Sequence, residues 1–130
     1  MESERAGRFS DAQYITLETY RKSGEPVRTT VWVVEDGGLV YVRTGAKSGK
    51  VKRIRRDSRV RIATTNLRGD ILGDWSEGTA EFVGEEQSVQ IVELFRRKYG
   101  LQIRLLGWLA RIMRSPQLHP VFLRIELKAT

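Results

Sequence analysis

Between Tyr14 and Thr44 the chain repeats short β-branched and aromatic runs separated by glycine-bearing turn signals, at intervals too short for helices. In Tyr14 to Tyr20, Ile15, Leu17 and Thr19 alternate with Thr16, Glu18 and Tyr20, which predicts a strand. Ser23 and Gly24 centre a turn. Pro26 to Val34 is too rich in valine and threonine for a helix and opens with a proline that lacks a ladder donor, so it reads as a second strand. Asp36-Gly37 tolerates the positive φ angles of a type I′ hairpin turn, and Leu39 to Thr44 follows as a third strand.

The remaining pattern alternates helices with further strands. Val51, Ile54 and Arg55 share one face of a short helix; Val60 opens a fourth strand; Asp70 to Val83 gives a long fifth strand, with Gly73 and Gly78 as bulges or a bend. A helix then carries Val89, Val92, Phe95 and Tyr99 as its apolar stripe, with Glu85 and Glu86 at its start, Arg96 to Lys98 at its end and Gly100 as its stop. Leu101 to Met113 reads as a second amphipathic helix with Trp108 on its stripe. Val121, Leu123, Ile125 and Leu127 form a one-sided closing strand. The order β-β-β-α-β-β-α-α-β predicts a mainly β fold with helices, a six-stranded antiparallel barrel that closes to hide its edges. With 130 residues there is room for one domain, 1–130.

Composition removes several chemistries. There is no cysteine and only one histidine, which excludes disulfides, thiolate metal sites, cysteine nucleophiles and multi-histidine centres. Redox work therefore requires a bound cofactor. The longest apolar run is Val31 to Val34 and the opening twelve residues are polar, so the expectation is a soluble cytoplasmic protein without membrane insertion. His119, before Pro120, reads as structural or surface. Asp70, Asp74, Glu77 and Glu81 diverge on a strand and bend, which suits a solvated face better than a metal site.

The net charge of +7 favours an anionic partner, and ten of the 23 basic residues lie between Arg43 and Arg68 against one acid, Asp57. Thr44, Ser48, Gly45, Gly49 and Lys50 fall where a strand ends and a helix begins, so main-chain N–H groups, two hydroxyls and an ammonium can converge on a phosphate. The spacing is not that of a nucleotide-hydrolase loop, since three residues separate the glycines and Val51 follows the lysine. Gly37-Gly38 sits in a hairpin rather than opening a helix, which excludes a dinucleotide fingerprint. Nucleic-acid binding is disfavoured because the basic segment contains no aromatic residue to stack on bases.

Taken in order, Thr19, Arg21, Gly24, Pro26, Val27, Val31, Trp32, Thr44, Ser48, Gly49, Lys50, Val51 and Arg53 resemble the pyridoxamine 5′-phosphate oxidase-like split-barrel superfamily, in the branch that uses the deazaflavin coenzyme F420. Gly73, Trp75, the run Gly78 to Glu81, and Tyr99-Gly100-Leu101 continue the likeness. The resemblance implies a six-stranded antiparallel split β-barrel of the FMN/F420-binding type, a homodimer, and a cofactor held between subunits. It places the phosphate site on Thr44, Ser48, Gly49 and Lys50, with Lys47 and Arg53 as nearby anion partners. The cofactor ring falls along Thr29, Thr30, Val31 and Trp32, with Arg28 adjoining.

Hydride transfer belongs to the cofactor ring, so no acid/base dyad is required and no catalytic side chain is assigned. Trp32 reads either as a cover for the ring or as core, Trp75 as part of the active-site groove, and Trp108 as core or dimer contact. The function expected is an F420-dependent oxidoreductase acting on a small organic substrate. The alternatives are an FMN-binding flavoenzyme on the same scaffold and a non-catalytic F420 carrier.

Overall fold

A computed structural model describes residue 9 and residues 11–45, 48–100 and 120–128. The six strands are β1 (Tyr14–Tyr20), β2 (Pro26–Asp36), β3 (Leu39–Gly45), β4 (Arg59–Thr65), β5 (Ser76–Phe82) and β6 (Pro120–Leu127). Two helices interrupt them, α1 (Gly49–Arg56) between β3 and β4 and α2 (Glu85–Tyr99) between β5 and β6. The strands close in the order β1-β2-β3-β6-β5-β4, antiparallel throughout, with β4 returning to β1. The expected barrel is therefore present, and closure gives every strand two neighbours, so that none is an outer strand of the kind an open sheet exposes.

The alternation read from the sequence fills the barrel. Ile15, Leu17, Val33, Val40, Val42, Ile62, Leu123 and Ile125 are fully buried inside it, with Phe9 and Ile54 packed against the same core. A second core lies outside the wall, where α2 sets Ile91, Phe95 and Tyr99 against Val34, Tyr41 and Phe122. β6 keeps its one-sided pattern except at Phe122, which points away from the barrel interior into α2 while Arg124 and Glu126 on the same face stay partly or fully exposed.

Four local expectations shift. The pair Asp36↔Leu39 makes Gly37 and Gly38 the central turn residues, both at positive φ (59° and 79°). The fifth strand is half as long as expected: Asn66 Oδ1 accepts from the N–H groups of Arg68 and Asp70, and Gly69 takes a φ of 91°, so the chain folds back as a loop until Ser76. Gly78 is no bulge. It lies in register between Val60 and Leu127, where a Cβ would sit 2.5 Å from the Glu126 carbonyl oxygen. On α2 the buried stripe is Ile91, Phe95 and Tyr99; Val89 and Val92 face solvent, 72% and 44% exposed. The expected helix at 101–113 with Trp108, His119 and Lys47 lie outside the described residues.

Candidate functional site

The barrel is split along β2. Pro26 to Trp32 pair with β1, whereas Val33 to Asp36 pair with β3. On the other side, β3 pairs with β2 only as far as Val42, and Arg43, Thr44 and Gly45 keep β6 alone. The two strands diverge from Val33 and Val42, and the space between them is a groove of about 370 Å³. β2 contributes Thr30, Val31 and Trp32, β3 contributes Arg43, Thr44 and Gly45, and Lys50 reaches in from α1. Tyr14 and Leu67 complete the lining.

The side of the groove formed by β3 and the start of α1 is cationic and hydroxylic. Thr44 Oγ1 and Ser48 Oγ lie 3.3 Å apart, and Ser48 caps α1 without spending its hydroxyl on a helix N–H. The first turn of α1 carries no acid, which leaves the positive end of its dipole uncompensated. Burial pushes the Lys50 ammonium down from its ordinary pKa, and Arg53 pushes it further. Burial likewise lowers Arg43. Neither makes an ion pair among the described residues. Desolvated cations without a carboxylate favour an incoming anion, which restores the charge balance that burial removed.

The side formed by β1 and β2 is aromatic. Tyr14 and Trp32 form the last rung of the β1–β2 ladder, and the Trp32 indole stacks on Tyr99 at 4.5 Å with planes 6° apart. Beyond the rung, Arg28 to Trp32 have no β3 partner, so the free edge of β2 borders the opening.

The structure thus gathers Thr30, Val31, Trp32, Thr44 and Lys50 on one groove, with Ser48 joined through Thr44. Gly49 and Arg53 sit behind it: the Arg53 guanidinium lies across Gly49, 2.8 Å from where a Cβ would be, and its Nε donates to Thr19 Oγ1 at 2.7 Å. Thr29 lies on β2 opposite Leu17 and does not line the groove. Arg28 and Trp75 are also placed elsewhere. Arg28 Nε donates to Glu18 at 3.0 Å, and the Trp75 ring lies against the guanidinium groups of Arg28 and Arg61, 4.8 and 4.6 Å away. Tyr14, Arg43 and Leu67 were not expected at the groove. Strand register brings Tyr14 and Arg43 there and the turn after β4 brings Leu67; a basic residue one position before Thr44 was the available signal for Arg43.

A larger cavity, about 740 Å³, runs along β4, β5 and β6 past Tyr20, Arg59 and Arg61, and no predicted site residue lines it. Its arginines are already neutralised, Arg59 by Asp57 and Arg61 by Glu18. The smaller groove, with its unpaired cations, is the better candidate for an anionic ligand.

A closed six-stranded barrel whose second strand changes partner to open a basic, aromatic-floored groove is a split barrel. The chain belongs to the pyridoxamine 5′-phosphate oxidase family, whose sequence model matches residues 1–128. No curated protein matches it in sequence. Among solved structures, a protein of unknown function from Agrobacterium tumefaciens superposes with a TM-score of 0.74 at 14% identity; the match covers 98% of this chain and 53% of that one, so this chain spans about half its length. A conserved hypothetical protein from Mycobacterium tuberculosis is 25% identical, with a TM-score of 0.69 over 99% of this chain and 81% of that one. An F420 reductase shares the fold at 15% identity, with a TM-score of 0.61 over 95% of this chain and 93% of that one.

Proposed function

We propose that the protein holds coenzyme F420 in the split between β2 and β3 and serves as an oxidoreductase for a small organic substrate. The observation that carries this reading is the pairing of Arg43 and Lys50, unneutralised among the described residues, with the hydroxyls of Thr44 and Ser48 on one side of a groove whose other side carries Tyr14 and Trp32. A ribityl phosphate suits the first side, and a flat tricyclic ring suits the second. When bound, the deazaflavin supplies the hydride chemistry at its C5 position.

The residues of this chain have simpler tasks. Lys50, Arg43, Thr44 and Ser48 neutralise and hydrogen-bond the phosphate, with Gly49 opening the helical turn beside it, Arg53 packed across that glycine, and Lys47 contributing further charge. Tyr14 and Trp32 support one face of the ring, while the unpaired edge of β2 at Thr30 and Val31 offers main-chain groups to the ring's polar rim. No side chain is required to pass a proton. The groove is open to one side, where Leu67 is 72% exposed. A second copy of the chain covers that side in this reading, giving a homodimer.

F420 extends beyond the phosphate through a phosphodiester and glutamates, so the +7 chain attracts it more strongly than FMN. Difference spectra and a competition titration at moderate salt test this directly: F420 binding more tightly than FMN is expected, and equal or stronger FMN binding selects the flavoenzyme reading. A protein that binds F420 but never exchanges hydride with any of a panel of acceptors is a carrier. Binding of neither cofactor overturns the proposal.

A further inference from the structure

We infer that Tyr99, at the end of α2, is the positioning residue of the groove: it acts as a wedge that stops the β1–β2 ladder at Tyr14 and Trp32 and thereby fixes the aromatic floor. Val33 is the residue at which β2 leaves β1 for β3. At such a handover its main-chain groups on the β1 side lose their strand partner, and a buried, unpaired N–H is costly. The Tyr99 hydroxyl takes that place. It accepts the Val33 N–H at 2.8 Å and lies 2.7 Å from both the Val33 and Gln13 carbonyl oxygens, to one of which it donates its proton. Lys98 reinforces the wedge, its ammonium donating to the Val33 carbonyl at 2.8 Å and to the Ala12 carbonyl at 2.5 Å.

The same ring does a second thing. Tyr99 is 6% exposed and stacks on Trp32, while Phe95 stacks on it from within the second core. The indole that lines the groove is therefore backed by a buried ring whose hydroxyl is tied to Val33 of β2 and to Gln13 at the entry to β1, and which Phe95 stacks from the other direction. If Tyr99 did not stand between Val33 and the chain entering β1, Gln13 could extend the ladder by a further rung. Tyr14 and Trp32 would then lie inside the paired sheet rather than at its end. Placing this residue needs no cofactor; its consequence for affinity rests on the function proposed above.

Tyr99→Phe keeps the ring and removes the hydroxyl. With the full-length protein, amide exchange at Val33 should accelerate roughly tenfold or more, and the Trp32 indole N–H resonance, identified by its loss in Trp32→Phe, should shift or broaden. F420 affinity should fall roughly five- to twentyfold, the scale of one buried hydrogen bond. In a Trp32→Phe background the same change at Tyr99 should alter affinity no more than about twofold, because the wedge then has no indole to place. A purely structural tyrosine would lower the melting temperature yet leave the affinity loss identical in both backgrounds, and that result overturns the inference. So does unchanged exchange at Val33. Where the parent protein takes up neither F420 nor FMN, the proposed function fails alone, and the exchange and indole measurements still decide for or against the wedge.

Discussion

Glu18 shows how the outer wall of the barrel is held, and its contribution to stability is measurable. The carboxylate is only 1% exposed although it points away from the barrel interior. Arg61 donates to it through Nε and Nη2 at 2.7 and 3.0 Å, Arg28 at 3.0 Å and the Tyr20 hydroxyl at 3.0 Å. Burial raises its pKa, but the bonds from Arg61, Arg28 and Tyr20 together outweigh burial and hold it at about 2 against an ordinary 4.5. At about 1.4 kcal/mol for each tenfold change in proton affinity, that depression contributes about 3 kcal/mol to folding. Because the folded pKa lies below the unfolded one, the contribution is complete above pH 4.5 and drains away as the pH falls towards 2. Urea denaturation of the parent protein and Glu18→Gln, from neutral pH downwards, measures it. The variant should be about 3 kcal/mol less stable at neutral pH, since its amide leaves two guanidinium groups without a counter-charge, and the difference should narrow below pH 4.5. Equal stability at neutral pH, or a gap that persists undiminished in acid, refutes the reasoning. Glu93 supplies the control. Hydrogen bonds from Arg96 depress it to about 2 as well, but its side chain is 41% exposed on α2, so solvent and salt screen the pair and Glu93→Gln should leave stability unchanged.

Lys50→Ala removes a charge-assisted bond to the proposed phosphate, worth about 1.5 to 3 kcal/mol, so F420 affinity should drop roughly tenfold to more than a hundredfold while the melting temperature holds; titration calorimetry with a parallel melt separates the two. Gly78→Ala drives a methyl to within 2.5 Å of the Glu126 carbonyl oxygen on β6 and should destabilise the barrel by about 1 to 3 kcal/mol, read from denaturant midpoints. Light scattering should give a mass near twice 14.9 kDa, and a monomer that binds F420 at full affinity refutes the shared groove.

Strand positions were legible because a period of two needs only local residues: the alternations through Ile15 and Leu17 and through Leu123 and Ile125 read directly as core. What the alternation could not tell was which second faces are covered. Glu18 and Thr16 fall on the side that reads as solvent, yet they are 1% and 3% exposed. The cover of Glu18 is made by Arg28 and Arg61, against whose guanidinium groups the loop between β4 and β5 lays Trp75. Strand-forming residues such as Ile71 and Trp75 drew the fifth strand too long because the Asn66 side chain, holding the Arg68 and Asp70 N–H groups, outcompetes a ladder at that point.

The groove poses the harder problem. The basic side could be read from Thr44, Ser48 and Lys50 because they are neighbours in sequence, and proximity along the chain guarantees proximity in space. The aromatic side depends on Tyr14, Trp32 and Tyr99, which are far apart along the chain and meet only through register and helix docking. Nothing in Val31 to Val34 marks Val33 as the residue where β2 changes partner, for any of the valines would suit either ladder. The change of partner is written instead in the last turn of α2, where Lys98 and Tyr99 put polar atoms on the face that Ile91 and Phe95 bury. A buried helix face ending in an ammonium and a phenol needs acceptors and donors in the wall it meets. Here the wall provides them at the point where the barrel splits.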